Sequence, residues 1–210
     1  MNKNFNKFFI VYFAVSFLTT VAYAQISLNF TNAAATGKDG PTQSQVNTAY
    51  DNTTLDDAVT INTQGIQEWT VPATATYTIE VYGAQGGRSY LLSTSNWYDG
   101  GKGAKMVGDF SLTQGTVLKI MVGQQGVDNP INTRGAGGGG GTFVVKGTSS
   151  LLMAAGGGGG AGEYTYYGHG QTGTSGSRGG SSSSGSSGGG AGGTNGGGGS
   201  CYSMGGGGAG

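Results

Sequence analysis

Glycine runs dominate the second half of this chain, where residues 135–210 contain 34 of its 47 glycines. The runs at residues 137–141 and 156–160 alternate with two apolar segments, residues 142–145 and 151–155, whose composition is typical of strands. A flexible linker would mix glycine with serine and contain no such apolar segments. The pattern therefore predicts that these two runs are part of a folded β domain.

Ordering a glycine run is costly, because each residue loses roughly 1–2 kcal/mol of backbone entropy and buries no side chain. Close packing of backbones can offset this cost. A polyproline II helix has three residues per turn and no internal hydrogen bonds, so its N–H and C=O groups can bond to neighbouring helices. We therefore expect both runs to form ordered, left-handed polyglycine II helices that pack side by side. The glycines assigned this structural role are Gly137, Gly138, Gly139, Gly140, Gly141, Gly156, Gly157, Gly158, Gly159 and Gly160.

The first 24 residues have the parts of a secretory signal peptide. Two lysines precede an apolar segment at residues 8–21, and Ala-Tyr-Ala at residues 22–24 supplies an A-x-A cleavage site. The apolar segment is too short to span a bilayer as a helix. We expect cleavage after Ala24 and a secreted, extracellular or cell-surface protein with no later transmembrane segment. An uncleaved membrane anchor is the alternative.

The charged and metal-binding residue types argue against several functions. Ten basic and ten acidic residues cancel, and no basic stripe is present, which argues against a nucleic-acid partner. His169 is the only histidine and Cys201 the only cysteine, so metal-ligand spacing and an internal disulfide are both excluded. Cys201 is interpreted as a spacer residue, with an intermolecular disulfide as the alternative. No catalytic, cofactor-binding or metal-binding residue is predicted, and the chain is not expected to be an enzyme.

Alternation of apolar and polar residues predicts several strands. The clearest case is Tyr-Thr-Ile-Glu-Val-Tyr at residues 77–82, which has the period of a half-buried strand. Two more strands are predicted at residues 104–112 and 117–122, joined by a hairpin turn at residues 113–116. Several short strands without a long helix indicate an all-β chain, folded as an antiparallel sandwich or jelly roll.

Weaker signals lie nearer the N-terminus. Ile26, Leu28 and Phe30 alternate with polar residues and predict a first strand, and residues 44–55 could hold one short helix. Most of the larger apolar residues of the strands are expected in one core. They are Trp69, Tyr77, Ile79, Val81, Phe110, Leu112, Leu118, Ile120, Val122, Phe143 and Val145.

The order and spacing of several motifs resemble one known family. The motifs are Gly-Pro-Thr-Gln at residues 40–43 with Ala49-Tyr50, Gly-Ile-Gln-Glu-Trp-Thr-Val-Pro-Ala-Thr at 65–74, Tyr77-Thr78-Ile79, Tyr82-Gly83-Ala84, Val-Gly-Gln-Gln-Gly at 122–126, Ala-Gly-Gly-Gly-Gly-Gly-Thr-Phe-Val at 136–144 and Ala154-Ala155-Gly156. Together they resemble the extracellular glycine-rich region of the anaplastic lymphoma kinase and leukocyte tyrosine kinase receptors, over nearly the whole mature chain. The resemblance implies a tumour-necrosis-factor-like (TNF-like) jelly roll from which polyglycine II helices project as a bundle. In the animal receptors this region binds small cytokine ligands.

The chain departs from this family in three ways. The receptors carry a cysteine pair around the Gly-Pro-Thr-Gln segment, and Ala33 and Val46 occupy those positions. The kinase motifs H-R-D and D-F-G are absent, and the G-x-G-x-x-G at residues 168–173 lacks a strand–turn–helix context. The family returns from its glycine bundle to complete the jelly roll, so a chain that ends at Gly210 is expected to be a piece of a longer protein.

These observations divide the chain into three parts. Residues 1–24 are the signal peptide, and residues 25–155 are a TNF-like β domain with the first glycine run. Residues 156–210 are a glycine-rich polyglycine and low-complexity region, expected to be truncated and partly disordered.

Aromatic residues beside charged ones form the candidate binding surface, because Trp, Tyr and Arg are frequent anchors at interfaces. Packing within loops is the alternative interpretation of the same residues. The candidates are Arg88, Tyr90, Trp97, Tyr98, Tyr164, Tyr166 and Tyr167.

We predict a secreted or cell-surface, non-catalytic module for adhesion or ligand recognition, whose partner is a protein or a glycan. One alternative is the ligand-binding ectodomain of a receptor protein-tyrosine kinase, present here as a fragment. A second alternative is a structural protein of the extracellular matrix.

Overall fold

The computed structural model describes residues 27–92, 95–130, 135–162, 168–172 and 191. This part of the chain contains one helix, α1, and nine strands, and its strands form no closed barrel. The elements are α1 (Gln43–Tyr50), β1 (Val59–Thr63), β2 (Ile66–Thr70), β3 (Ala75–Tyr82), β4 (Ser89–Leu91), β5 (Asn96–Tyr98), β6 (Lys105–Leu112), β7 (Val117–Met121), β8 (Thr142–Lys146) and β9 (Ser150–Ala155). The prediction of an all-β chain is confirmed at this level. The predicted signal peptide lies outside the described residues.

Two antiparallel sheets enclose the core. The larger has five strands in the order β1-β2-β7-β8-β9, and the smaller pairs β3 with β6. Strands β3 and β6 both contact β9, so the small sheet packs against one end of the large one. A third, short hairpin pairs β4 with β5.

The alternation predicted for residues 77–82 is confirmed in β3. Val81 is buried, and Tyr77 and Ile79 are partly buried against the core. The intervening residues, Thr78 and Glu80, are exposed. The side-chain period of a strand therefore places one face of β3 on the core and the other in solvent.

The predicted hairpin at residues 113–116 is wrong. The turn exists, and Gly115 supplies the left-handed φ of 81° that it needs. The strands on either side of it do not pair with each other, because β6 pairs with β3 whereas β7 pairs with β2 and β8. The turn thus carries the chain from one sheet to the other.

Two predictions near the N-terminus also need correction. Residues 27–30 form no strand, although Leu28 and Phe30 still pack against the core. The helix begins one residue before the predicted segment, at Gln43, because Thr42 caps its first turn through Gln45, but it also ends earlier. Tyr50 is its last residue.

The core contains most of the residues expected there. Trp69, Val81, Leu112, Leu118 and Ile120 are buried, and Tyr77, Ile79, Phe110 and Val122 pack against them partly exposed. The prediction is wrong for Phe143 and Val145, since β8 directs Val144 into the core instead. Ala33 and Val46 are both members of this core.

One buried polar network joins the N-terminal segment to the sheet. Gln67 is fully buried; its Oε1 accepts a hydrogen bond from the Tyr50 hydroxyl, and its Nε2 donates to the carbonyl of Thr31 at 2.7 Å. The Tyr50 hydroxyl in turn accepts from the N–H of Thr31 at 2.9 Å. Both polar groups of the Gln67 amide are therefore satisfied inside the core.

Candidate functional site

Six glycine-rich segments outside the strands bond to one another, forming what we call the glycine bundle. They contain neither helix nor strand. The segments are residues 83–87, 100–104, 123–127, 136–141, 156–162 and 168–170. Backbone hydrogen bonds between segments hold the bundle together.

The segment at residues 156–162 has partners on several sides. Towards one neighbour, the N–H groups of Gly158 and Ala161 donate to the carbonyls of Ala84 and Gly87, at 2.9 and 3.0 Å. Donors and acceptors are both three residues apart. Segment 156–162 therefore bonds to segment 83–87 once every three residues.

The same repeat appears towards a second neighbour. The carbonyls of Gly156 and Gly159 accept from the N–H groups of Ala104 and Gly101, at 2.8 and 2.7 Å. Within segment 156–162, the N–H groups of one set of residues bond to the first neighbour, and the carbonyls of another set bond to the second. Each set repeats every three residues. Bonds of this kind satisfy buried backbone groups that have no partner within their own segment.

Many glycines of the bundle leave no room for a side chain. A Cβ on Gly139 would overlap the carbonyl oxygen of Ala84, and a Cβ on Gly158 would overlap that of Gly101. Gly138, in contrast, is exposed. The glycine requirement therefore applies to residues that face a neighbouring segment.

The short β4–β5 hairpin lies at the end of the bundle remote from the sheets. Residue 83 directly follows β3 and residue 104 directly precedes β6, so these ends of the segments adjoin the small sheet. The hairpin connects the opposite ends, between Gly87 and Gly100. The bundle therefore separates the hairpin from the core.

Three of the predicted surface residues come together at this hairpin. The guanidinium of Arg88 lies 5.0 Å from the centre of the Trp97 ring, and the rings of Tyr90 and Trp97 are 5.3 Å apart. Trp97 remains 44% exposed. The fourth, Tyr98, is half-buried and pairs with Ser89, which places it on the opposite face of the hairpin. We call Arg88, Tyr90 and Trp97 the hairpin cluster.

Sequence reasoning missed Asp128, which anchors the cluster. Its carboxylate accepts hydrogen bonds from the backbone N–H of Arg88 at 2.7 Å and from Nε and Nη2 of the guanidinium at 3.0 and 2.6 Å. The guanidinium holds the pKa of Asp128 below its ordinary value, and the carboxylate raises the pKa of Arg88. The two residues are 40 positions apart, so no local sequence signal indicates the pair.

Two further sequence predictions concern three tyrosines with Cys201 and the G-x-G-x-x-G motif. Tyr164, Tyr166, Tyr167 and Cys201 all lie outside the described residues. The start of the G-x-G-x-x-G motif belongs to the bundle, where the N–H of Gly170 donates to the carbonyl of Lys102 at 2.7 Å. That N–H is therefore engaged and does not point to a bound phosphate.

The described ranges contain no group of three or more His, Cys, Asp or Glu residues arranged to hold a metal ion. No helix in them is long and apolar enough to cross a membrane.

Comparison with known proteins links the chain to a receptor. Over 103 residues it is 36% identical to the leukocyte tyrosine kinase receptor of Mus musculus. The match covers 47% of this chain and 11% of the receptor. No protein-family model matches the chain. The similarity supports a link to the anaplastic lymphoma kinase and leukocyte tyrosine kinase receptor family for about half of the chain.

Proposed function

We propose that this chain is a non-catalytic, extracellular recognition module that binds a macromolecular ligand through the hairpin cluster. The similarity to a receptor favours ligand recognition, as in a receptor ectodomain, over the adhesion role that the sequence first suggested. Because the match covers only 11% of the receptor, the receptor's own activity is not part of this proposal.

The exposed Trp97 in the hairpin cluster is the observation that carries this proposal. Side chains that only pack within a loop would bury the ring, whereas Trp97 is 44% exposed beneath the guanidinium of Arg88. Asp128 fixes that guanidinium, and Tyr90 supports the ring from the facing strand. A pre-positioned Trp, Tyr and Arg group is the composition typical of an interface hot spot.

We further propose that the glycine bundle is built of left-handed polyglycine II helices projecting from a TNF-like jelly roll. The three-residue repeat of hydrogen bonds to successive neighbours supports the first part, because a polyproline II helix has three residues per turn. Two antiparallel sheets that pack against each other around one core support the second part. In this proposal the bundle is a rigid support whose far end presents the cluster.

The proposed location is outside the cytoplasm, with residues 1–24 removed as a signal peptide. The sequence pattern at residues 22–24 and the similarity to a receptor support this location. The proposed division into a β domain at residues 25–155 and a glycine-rich region at residues 156–210 follows from composition. In this proposal the two parts pack together, and the hydrogen bonds from segment 156–162 to segments before it support that packing.

The test measures binding of the labelled full-length chain to surface and secreted proteins of the cells that produce it. We expect saturable binding that Trp97→Ala weakens about tenfold or more, as expected for a hot-spot residue. Tyr82→Ala is the matched control, since Tyr82 is an exposed aromatic residue on β3, at the other end of the bundle. Equal binding by the two variants, both with unchanged melting temperature, would contradict the proposal.

A further inference from the structure

A polar groove lies along the side of the glycine bundle and adjoins the hairpin cluster through Arg88 and Asp128. It has a volume of about 360 Å³, within the range of small-molecule sites of roughly 300–1,000 Å³. One wall is the loop at residues 32–37 and the other is the chain at residues 124–128. The lining residues are Asn32, Ala35, Thr36, Gly37, Arg88, Gln124, Gln125, Gly126, Val127 and Asp128.

Gln124 lines this groove and has one strong donor without a partner. Its Nε2 is buried and has no hydrogen-bond partner among the described residues. Its Oε1 is 3.5 Å from Nδ2 of Asn32, a long contact that does little to satisfy the amide. A buried donor without an acceptor costs about 1–3 kcal/mol, so a rotation of the Gln124 side chain that brings Nε2 to an oxygen atom of a ligand in the groove would recover that cost.

The backbone on both sides of the groove is fixed before any ligand binds. The carbonyl of Gln124 accepts from Gly140 at 2.9 Å, which places it in the bundle. On the opposite wall, Nδ2 of Asn32 donates to the carbonyl of Ala35 at 3.0 Å and closes the loop. Ala33 and Ala34 within this loop have left-handed φ values of 47° and 57°, a strained conformation for alanine. Such strain is common where a loop is shaped for a ligand.

The charges in the groove cancel each other. Arg88 and Asp128 form an ion pair with an N–O distance of 2.6 Å, which leaves no unbalanced charge to attract a phosphate, a sulfate or a cation. The remaining polar side chains include the neutral amides of Asn32, Gln124 and Gln125. Ala35 and Val127 offer too little apolar surface to hold a large side chain of a peptide. Neutral hydroxyl groups, which both donate and accept hydrogen bonds, match this lining best.

We propose that this groove binds a neutral saccharide unit, and that the Gln124 side chain turns on binding so that its Nε2 donates a hydrogen bond to one of the saccharide oxygen atoms. The inference does not depend on the macromolecular ligand proposed for the hairpin cluster. The two sites have separate key residues, Gln124 and Trp97, so each can be tested without the other.

The test is ligand-observed and protein-observed NMR on the full-length chain. The probes are methyl α-mannopyranoside, methyl β-galactopyranoside and methyl N-acetyl-β-glucosaminide, with acetylated tetraglycine amide as a peptide probe. We expect at least one saccharide to shift the side-chain amide signals of Gln124, and Gln124→Met to weaken that saccharide's binding about tenfold or more. Gln114→Met, in an exposed turn, is the matched control and should leave saccharide binding unchanged.

The stability of Gln124→Met separates a binding role from a structural one. Methionine is similar in length to glutamine but removes the unsatisfied donor, so the melting temperature should stay the same or rise. The proposal is overturned if no saccharide shifts the Gln124 signals, if Gln124→Met binds as well as the wild type, or if only the peptide probe binds. The wild-type amide shifts keep the test decisive even if the variant folds poorly.

Discussion

Asp128 accepts three hydrogen bonds from Arg88, one from its backbone N–H and two from its guanidinium. The backbone bond holds the chain at the point where it leaves the bundle, and the guanidinium bonds hold the side chain over Trp97. A single carboxylate therefore sets both the position and the orientation of the cation in the hairpin cluster. Protonation of this carboxylate would therefore remove both constraints together.

The first prediction concerns that sensitivity. Because Arg88 lowers the pKa of Asp128 in the folded state, the pair stabilises the fold above the unfolded carboxyl pKa, about 3.9. The contribution is lost as the pH falls through the lower folded pKa. An NMR titration should place the Asp128 carboxyl below about 3.9, and Arg88→Gln should raise it. A wild-type carboxyl that titrates at or above that value would show that the ion pair does not form in solution.

The second prediction concerns the packing of the bundle. Gly139→Val should destabilise the protein by about 3 kcal/mol or more, because its Cβ would overlap the carbonyl oxygen of Ala84. Gly138→Val introduces the same residue one position earlier, at an exposed site, and should cost much less. Chemical denaturation of both variants checks the difference. Equal losses, or fast amide exchange throughout residues 137–141, would mean that this segment is solvated coil.

The third prediction concerns the core. Leu118→Ala should cost about 2–5 kcal/mol, because Leu118 is only 4% exposed within the core. Leu151→Ala is the same substitution on β9, where the side chain is 57% exposed, and should change stability by less than about 0.5 kcal/mol. Urea unfolding measures both values. If Leu151→Ala cost more stability than Leu118→Ala, the assignment of buried and exposed faces in the large sheet would be wrong.

The fourth prediction concerns the buried polar network. Tyr50→Phe removes the hydroxyl that donates to Oε1 of Gln67 and should cost about 1–3 kcal/mol, since that oxygen is left buried without this donor. Tyr82→Phe removes a hydroxyl from an exposed ring and serves as the control. Thermal unfolding of the two variants should separate them clearly. A loss for Tyr50→Phe no larger than for the control would indicate that water replaces the missing donor.

Much of the β structure could be predicted from residue patterns, because alternation reports which side of a strand faces the core. It succeeded for β3, where Ile79 and Val81 alternate with polar residues. It failed for β8, whose continuous run Thr-Phe-Val-Val has no alternation to distinguish Val144 from its neighbours. A pattern of period two identifies a face only when polar residues mark the other one.

Strand pairing was harder to predict than strand position. The turn that contains Gly115 has the same residue types whether the chain reverses within a sheet or crosses to another sheet. The sequence therefore predicted the turn correctly and the pairing of β6 with β7 wrongly. Such pairing depends on contacts between residues far apart in the chain.

The candidate site was likewise predictable only where its residues are close together in the chain. Arg88, Tyr90 and Trp97 were identified from residue type, because they are close in the chain and chemically typical of interfaces. Asp128 and Gln124 were missed, since their roles arise only when the bundle brings residues 123–127 beside residues 83–87. Long-range backbone pairing of that kind leaves no mark on the local sequence.

The three-residue repeat of the bundle constrains how such a chain can change during evolution. Every missense mutation of a glycine adds a side chain, so a residue such as Gly158, which faces a neighbouring segment, has no conservative replacement. Inserting or deleting one or two residues would rotate the rest of the segment, so that its N–H and C=O groups no longer point at their partners. An insertion or deletion of three residues would keep those groups in register. Homologous segments should therefore differ in length by multiples of three, while the residues that face solvent vary freely.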